Sequence, residues 1–212
     1  MRGWLRILVV LLLVSPFAEA PAQMVGAGLV VLASDHQPLG SPLIGGEIVL
    51  RARGVDSSFS LSFGGASLRG HADRFGSPCA GLVPPTADCA AQPLRDDARI
   101  TAGSIGASLP IVRARRVRFS LVGDITLAQF QVASRRKSGG DALSADKLLI
   151  GAWLGGEAAW YLSPHLPIAV EASMAVGAFR PVVGGQIVDG YEPFESGLRA
   201  HRVRLGLSWR VR

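Results

Sequence analysis

Lysine is almost missing from this chain: Lys137 and Lys147 are the only two, so its basicity is nearly all arginine. Cysteine is as scarce, with Cys79 and Cys89 alone, and histidine occurs four times, at His36, His71, His165 and His201. No grouping of these residues has metal-ligand spacing, which argues against a structural zinc or other metal centre. Beyond its first residues the chain has no apolar run of the ~18–20 residues that a membrane helix needs. Nor does any downstream segment carry a convincing helical stripe. Helical architecture and metal or cofactor chemistry are therefore not expected; no cofactor is. Yet mean hydropathy is +0.33, high for a soluble globular protein.

The first segment explains part of that. "MRGWLRILVVLLLVSPFAEAPAQ" places two arginines before the apolar run 7–14, then Pro16, then small residues. That is the order of a secretory signal peptide. Cleavage is expected after Ala22, with Ala20 as the alternative, so residues 1–22 are a signal and residues 23–212 the mature domain. Losing Arg2, Arg6 and Glu19 lowers the formal charge from +6 to +5. In an exported protein an isolated cysteine pair reads as a disulfide, here Cys79–Cys89 closing "CAGLVPPTADC". Free thiols or a metal site are the alternative reading.

What the mature chain has is period-two alternation. "HRVRLGLSWRVR" (201–212) sets Val203, Leu205, Leu207, Trp209 and Val211 on one side and Arg202, Arg204 and Arg210 on the other, the pattern of a strand. Segments 23–34, 47–55, 59–68, 99–109, 117–130, 147–162 and 168–179 bring the number of candidate strands to eight. Between them lie 34–46, 56–58, 69–98, 110–116, 131–146, 163–167 and 180–197, which alternate long and short. An outer-membrane barrel has short periplasmic turns and longer extracellular loops, a sorting that a soluble sandwich has no reason to show. Most of the runs also reach the ~9–11 residues of a tilted membrane strand. The expected fold is all-β: an eight-stranded antiparallel up-and-down transmembrane β-barrel, with the cysteines in the longest extracellular loop. Phe59, Phe130, Trp160, Tyr161, Phe179 and Trp209 are candidates for its aromatic girdles.

With the apolar faces turned to lipid, the inward set includes Glu47, Arg51, Arg53, Arg118, Asp124, Glu157, Glu171, Arg202, Arg204 and Arg210. Charges in so narrow a tube must be paired, because an isolated buried charge costs several kcal/mol. A network of Arg–carboxylate pairs is expected to plug the bore. Glu157, Glu171 and Asp124 are its expected acids, with Arg202, Arg204 and Arg118 as their partners.

The signal, the eight alternating segments, the loop sorting and the closing "HRVRLGLSWRVR" resemble the small outer-membrane β-barrel proteins of the OmpA/OmpX-like type, over residues 23–212. The resemblance implies residence in the outer membrane of a Gram-negative-type envelope and insertion by the barrel assembly machinery. That machinery recognises a last strand ending in an aromatic, and here Trp209 is followed by Arg210, Val211 and Arg212. The arginine clusters at 113–116 and 135–137 read as solvated turns or as contacts for anionic headgroups or lipopolysaccharide; nucleic acid is not an expected partner of an exported chain. A structural or surface-interaction role is expected, its partner unnamed. Two alternatives stand beside it. A lipid A-modifying enzyme of similar size would use a His-x-Ser pair, but Val203 occupies the serine position after His201. Loop residues His71, Asp73 and Ser77 form no more than a polar loop. A soluble lipocalin-like carrier would put the apolar faces inside.

Overall fold

Every alternating segment forms a strand, and the strands close on themselves. A computed structural model describes residues 22–34, 42–53, 59–76, 90–137, 143–163, 166–183 and 198–211. The strands are β1 (Ala22–Ser34), β2 (Leu43–Arg53), β3 (Ser60–Gly76), β4 (Gln92–Arg113), β5 (Val117–Arg136), β6 (Leu143–Tyr161), β7 (Ile168–Val183) and β8 (Leu198–Val211). Each pairs antiparallel with the next, and β8 pairs with β1, so the sheet is a closed barrel without an open edge around its girth. Residues 1–21 of the expected signal, both cysteines, His36, His165 and Ser77 lie outside the described residues.

The start of β1, the end of β8 and the strand ends that flank 54–59, 114–116 and 162–167 lie at one end of the barrel, the periplasmic one in this topology. Backbone bonds tie it together: Ala114 N donates to Val117 O at 2.8 Å, Tyr161 N to Arg116 O at 2.8 Å and Arg210 N to Pro167 O at 2.8 Å. The opposite end is uneven. Pairing of β2 with β3 stops at Ile44↔Arg69, and pairing of β6 with β7 stops at Leu148↔Val183. Meanwhile β3–β4 continues to Gly76↔Gln92 and β5–β6 to Ser134↔Leu143. Strands β3 to β6 therefore rise as a four-stranded sheet above the rest of the wall.

That sheet occupies much of what sequence spacing assigns to extracellular connections. Residues 69–76, 92–98, 131–136 and 143–146 are strand, and the connection between β5 and β6 narrows to 137–142. The physical reason is a change of sign. Here the outward residues are polar (Arg95, Asp97, Arg99) and the inward ones mostly apolar (Leu94, Ala98, Ile100). A polar outward face reads as loop when an apolar outward face is being sought.

Nearer the periplasm the sidedness is that of a membrane barrel. Leu29, Ile48, Ile105, Ile125, Leu154, Met174 and Leu205 all point outward and are largely exposed, Met174 at 67% and Leu154 at 63%. A shift of one residue on any strand would turn its whole series into the bore. Phe59, Phe119, Trp160 and Trp209 are exposed near the periplasmic ends of the wall, where a girdle sits. Phe130 and Phe179 are buried in the interior instead, and Tyr161 turns inward, where Arg118 lies 6.0 Å from its ring centre.

Candidate functional site

The interior has two storeys. The lower one is charged and is supplied by five strands: Glu47 and Arg51 from β2, Arg118 and Asp124 from β5, Glu157 from β6, Glu171 from β7, Arg202 and Arg204 from β8. Their inward aim follows from parity alone, since each occupies the polar side of an alternating strand. At its centre Glu171, only 1% exposed, accepts from Arg51 Nη1 at 2.7 Å, Arg204 Nη2 at 2.6 Å and Ser208 Oγ at 2.7 Å. Glu157 is gripped by Arg51 and lies 3.3 Å from Arg204 Nη2 and 3.5 Å from Arg118 Nη2. The second guanidinium nitrogen of Arg204 reaches Glu47 Oε1 at 3.0 Å. Arg202 meets Asp124 through both of its terminal nitrogens, and Thr126 Oγ1 donates to Asp124 Oδ1 at 2.9 Å.

Four guanidinium groups thus face four carboxylates, and the set is formally neutral. Neutrality matters because desolvating each ion costs several kcal/mol, repaid only when its charge and hydrogen-bonding positions are met. Arginine suits the place: its fork meets two carboxylates at once, which a lysine ammonium cannot do in a fixed plane. Of the ten charges expected inside, these eight are brought together. Arg210 is exposed and makes no ion pair among the described residues, and the side chain of Arg53 is not among them.

The upper storey is apolar. All eight strands contribute to one cluster that includes Val30, Leu43, Leu68, Ile100, Phe130, Leu149, Phe179 and Leu198. Trp153 marks the boundary. Its ring lies edge to face with Phe179, centroids 5.3 Å apart at 80°, and the Arg202 guanidinium sits 4.9 Å from its centre. The two rings need bare backbone opposite them: Trp153 faces Gly177 and Phe179 faces Gly151 across the β6–β7 ladder. A Cβ on Gly177 would stand 2.6 Å from the Trp153 ring, and one on Gly151 2.7 Å from that of Phe179. Among the described residues, two interior cavities of about 40 Å³ each are lined by Glu47 and Arg202; each has room for a few water molecules.

Only Leu43, Ala98 and Val132 of this storey come from segments read as loops, and most of the rest lie on expected strands. The storey was not legible as a core because sequence alternation assigns the apolar side of each strand to lipid. A polar group at the outer mouth does come from segments read as loops: Arg74 Nε donates to Asp96 Oδ2 at 2.5 Å and Arg74 Nη2 to Ser134 Oγ at 3.3 Å, with Asp96 fully buried. The alternation of Leu94, Asp96, Ala98 and Ile100 was the signal available for it. Among the described residues the histidines are not gathered: His71 on β3 and His201 on β8 both face outward, on different strands.

An eight-stranded antiparallel barrel with an apolar belt outside and paired charges within defines the class: this is the fold of an outer-membrane β-barrel protein. Solved structures agree. The chain is similar to a major outer membrane protein from Thermus thermophilus at 14% identity, over 90% of this chain and 98% of that one, with a TM-score of 0.60. Neisserial surface protein A (NspA) aligns at 10% identity over 88% of this chain and 96% of its own, TM-score 0.54. Ail, the attachment invasion locus protein of Yersinia pestis, crystallised with the heparin analogue sucrose octasulfate, aligns at 14% over 90% and 97%, TM-score 0.51. No family model matches the chain, and no curated protein matches it in sequence.

Proposed function

We propose that this protein is a non-conducting, non-enzymatic barrel of the outer membrane that holds an interaction surface at the cell exterior. One observation supports the reading: four arginines and four carboxylates pair in the lower bore, and above them lies an apolar cluster to which every strand contributes. Water and ions crossing it would have to part buried ion pairs and then an apolar layer. What remains for function is the outer face, where β3 to β6 stand above the apolar belt with charged side chains outward.

The first 22 residues act in this reading as a cleaved signal, the barrel assembly machinery inserts the mature chain, and export to an oxidising compartment supports a Cys79–Cys89 bridge between β3 and β4. The partner chemistry is anionic. Outward-facing arginines on the upper wall suit lipopolysaccharide, and Ail has been crystallised in complex with an anionic sugar, the heparin analogue sucrose octasulfate.

Planar-bilayer recording tests the closed bore. Wild-type protein is expected to give no stable large conductance; a sustained open level of porin size refutes the proposal. Incubation with lipopolysaccharide followed by mass spectrometry is expected to leave the acyl pattern unchanged.

A further inference from the structure

Across the β3–β4 ladder Arg69 faces Arg99 directly, both exposed on the outside of the wall. Like charges placed opposite one another on a sheet repel, and neither arginine has a carboxylate within ion-pair distance among the described residues. One ladder over, Arg95 faces Arg135. The acid nearest to that second pair, Asp73, is already held by Lys137 Nζ at 2.7 Å. On this outward patch five cations (Arg69, Arg95, Arg99, Arg135, Lys137) stand against Asp73 and Asp97. The surplus is positive and is spread over three adjoining strands, β3 to β5.

Its height is what identifies the counter-ion. Read upward, the outward residues of β3 are Leu61, Phe63, Gly65, Ser67 and Arg69, and those of β4 are Ile105, Gly103, Thr101 and Arg99. The apolar belt ends, a hydroxyl step follows, and the arginines come next, about 7 Å further along each strand. That is the depth of headgroup phosphate rather than of bulk water. Beneath the arginines the wall is flat: Gly65 pairs with Gly103, and a Cβ on either would meet nothing closer than 3.9 Å. A chain can lie against the backbone there.

We infer that Arg69 and Arg99 together clamp a phosphate of a phosphorylated glycolipid in the outer leaflet, with one of its acyl chains lying on the wall below. Guanidinium forks suit the task, since each offers two parallel donors to phosphate oxygens. A bound phosphate between the two cations removes their mutual repulsion, so lipid and barrel stabilise one another. This rests on the proposal that the upper wall meets lipopolysaccharide, and gives that contact a position and a chemistry.

The test uses the mature chain folded into phosphatidylcholine vesicles, alone or with bisphosphorylated lipid A or its dephosphorylated form. Urea midpoints are read from the heat-shifted gel band, and co-purifying lipid A by native mass spectrometry. The wild type is expected to gain resistance to urea from the bisphosphorylated lipid only. R69Q/R99Q is expected to lose that gain and to retain lipid A about a hundredfold more weakly, about tenfold for each of the two charge-assisted contacts removed. R113Q/R115Q, at the periplasmic turn, keeps the gain. Equal stabilisation by both lipids, or equal retention by R69Q/R99Q, overturns the clamp. So does equal protection by a soluble heparin fragment, which would make the site one for free polysaccharide. Should R69Q/R99Q fail to fold, the wild-type contrast between the two lipids decides alone. Absence of any heat-shifted band in phosphatidylcholine would instead sink the barrel reading itself.

Discussion

Replacing Glu171 with glutamine changes almost no volume and removes one negative charge from the centre of the bore. In the native chain that carboxylate takes hydrogen bonds from Arg51, Arg204 and Ser208, all within 2.7 Å, and is 1% exposed. Glu171→Gln leaves four guanidinium groups with three carboxylates. Removing one partner of a buried pair costs about 3–5 kcal/mol, because the charge left behind is desolvated without compensation. Arg118 and Arg51 still share Glu157, so the lower part of that range is expected. The informative comparison is the pair Glu171→Gln with Arg204→Gln, which restores equal numbers of both signs. If charge balance is what matters, the double variant is more stable than the sum of its parts by about 1–3 kcal/mol, the coupling typical of residues in one network. Arg210→Gln, at an exposed position outside the network, is the control and should fall within about 0.5 kcal/mol of wild type. Reversible urea titrations in phospholipid vesicles, scored by mobility of the unboiled protein on gels, give all four numbers. A single variant as stable as wild type, or strictly additive losses, refutes the reasoning.

Three further outcomes follow from the geometry. In variants retaining one tryptophan each, phospholipids brominated on their acyl chains should quench Trp160 and Trp209, which face outward, and spare Trp153, which is 5% exposed inside the bore; quenching of Trp153 would overturn the assigned sidedness. Gly155→Ala should abolish or severely slow folding, because a Cβ there would stand 2.0 Å from the Met174 carbonyl oxygen, whereas Gly156→Ala, with nothing within 4 Å, should fold as wild type does. The Asp73–Lys137 tie between the upper ends of β3 and β5 should respond to acid alone. Its hydrogen bond to Lys137 holds the Asp73 carboxyl below its ordinary value of 3.8. A lowered carboxylate pKa stabilises above that ordinary value and loses its contribution as pH falls through the lowered one. Amide exchange at the top of β3 should therefore be the same in Asp73→Asn as in wild type at low pH, begin to differ as the pH rises through the lowered value, and differ fully above about 4.

The lower storey was legible because two independent requirements coincide there. Alternation of apolar with charged residues in "EIVLRAR", "VRFSLVGDITL" and "HRVRLGLSWRVR" sets both the strand and the direction of its charges. Which acid each arginine would meet was not legible, since it depends on strand stagger around the closed barrel; Arg204, for instance, spans Glu47, Glu157 and Glu171 on three different strands. The upper storey was missed for a different reason. Phe130 and Val132, or Leu94 and Ile100, follow the same period of two, but their outward neighbours are glutamine, arginine and aspartate. Periodicity reports that a strand has two faces and not which of them is wet.

Strand β5 shows why both signs occur on one strand. Ile125 and Leu127 point outward, while Asp124 and Thr126 point into the bore; two residues further, Gln129 and Gln131 point outward while Phe130 and Val132 point in. In the first stretch the outside is hydrocarbon, so burial inside gains nothing for an apolar side chain, and the bore holds polar groups that pair with each other. In the second the outside is the hydrated headgroup layer and then water. Burial of apolar area again yields about 25 cal/mol per Å², and the favourable arrangement is that of a soluble barrel. The sign change therefore marks where the wall leaves the membrane, and it falls at Gln129 on β5, between Gly103 and Thr101 on β4 and between Gly65 and Ser67 on β3. Substituting Gln129 and Gln131 with leucine would extend the apolar belt upward without touching the core. If the boundary is set by the medium outside, that variant should sit deeper in thicker bilayers and aggregate through its upper sheet in thin ones, as light scattering across a series of acyl-chain lengths would record. Indifference to bilayer thickness would mean that the two storeys reflect interior packing alone.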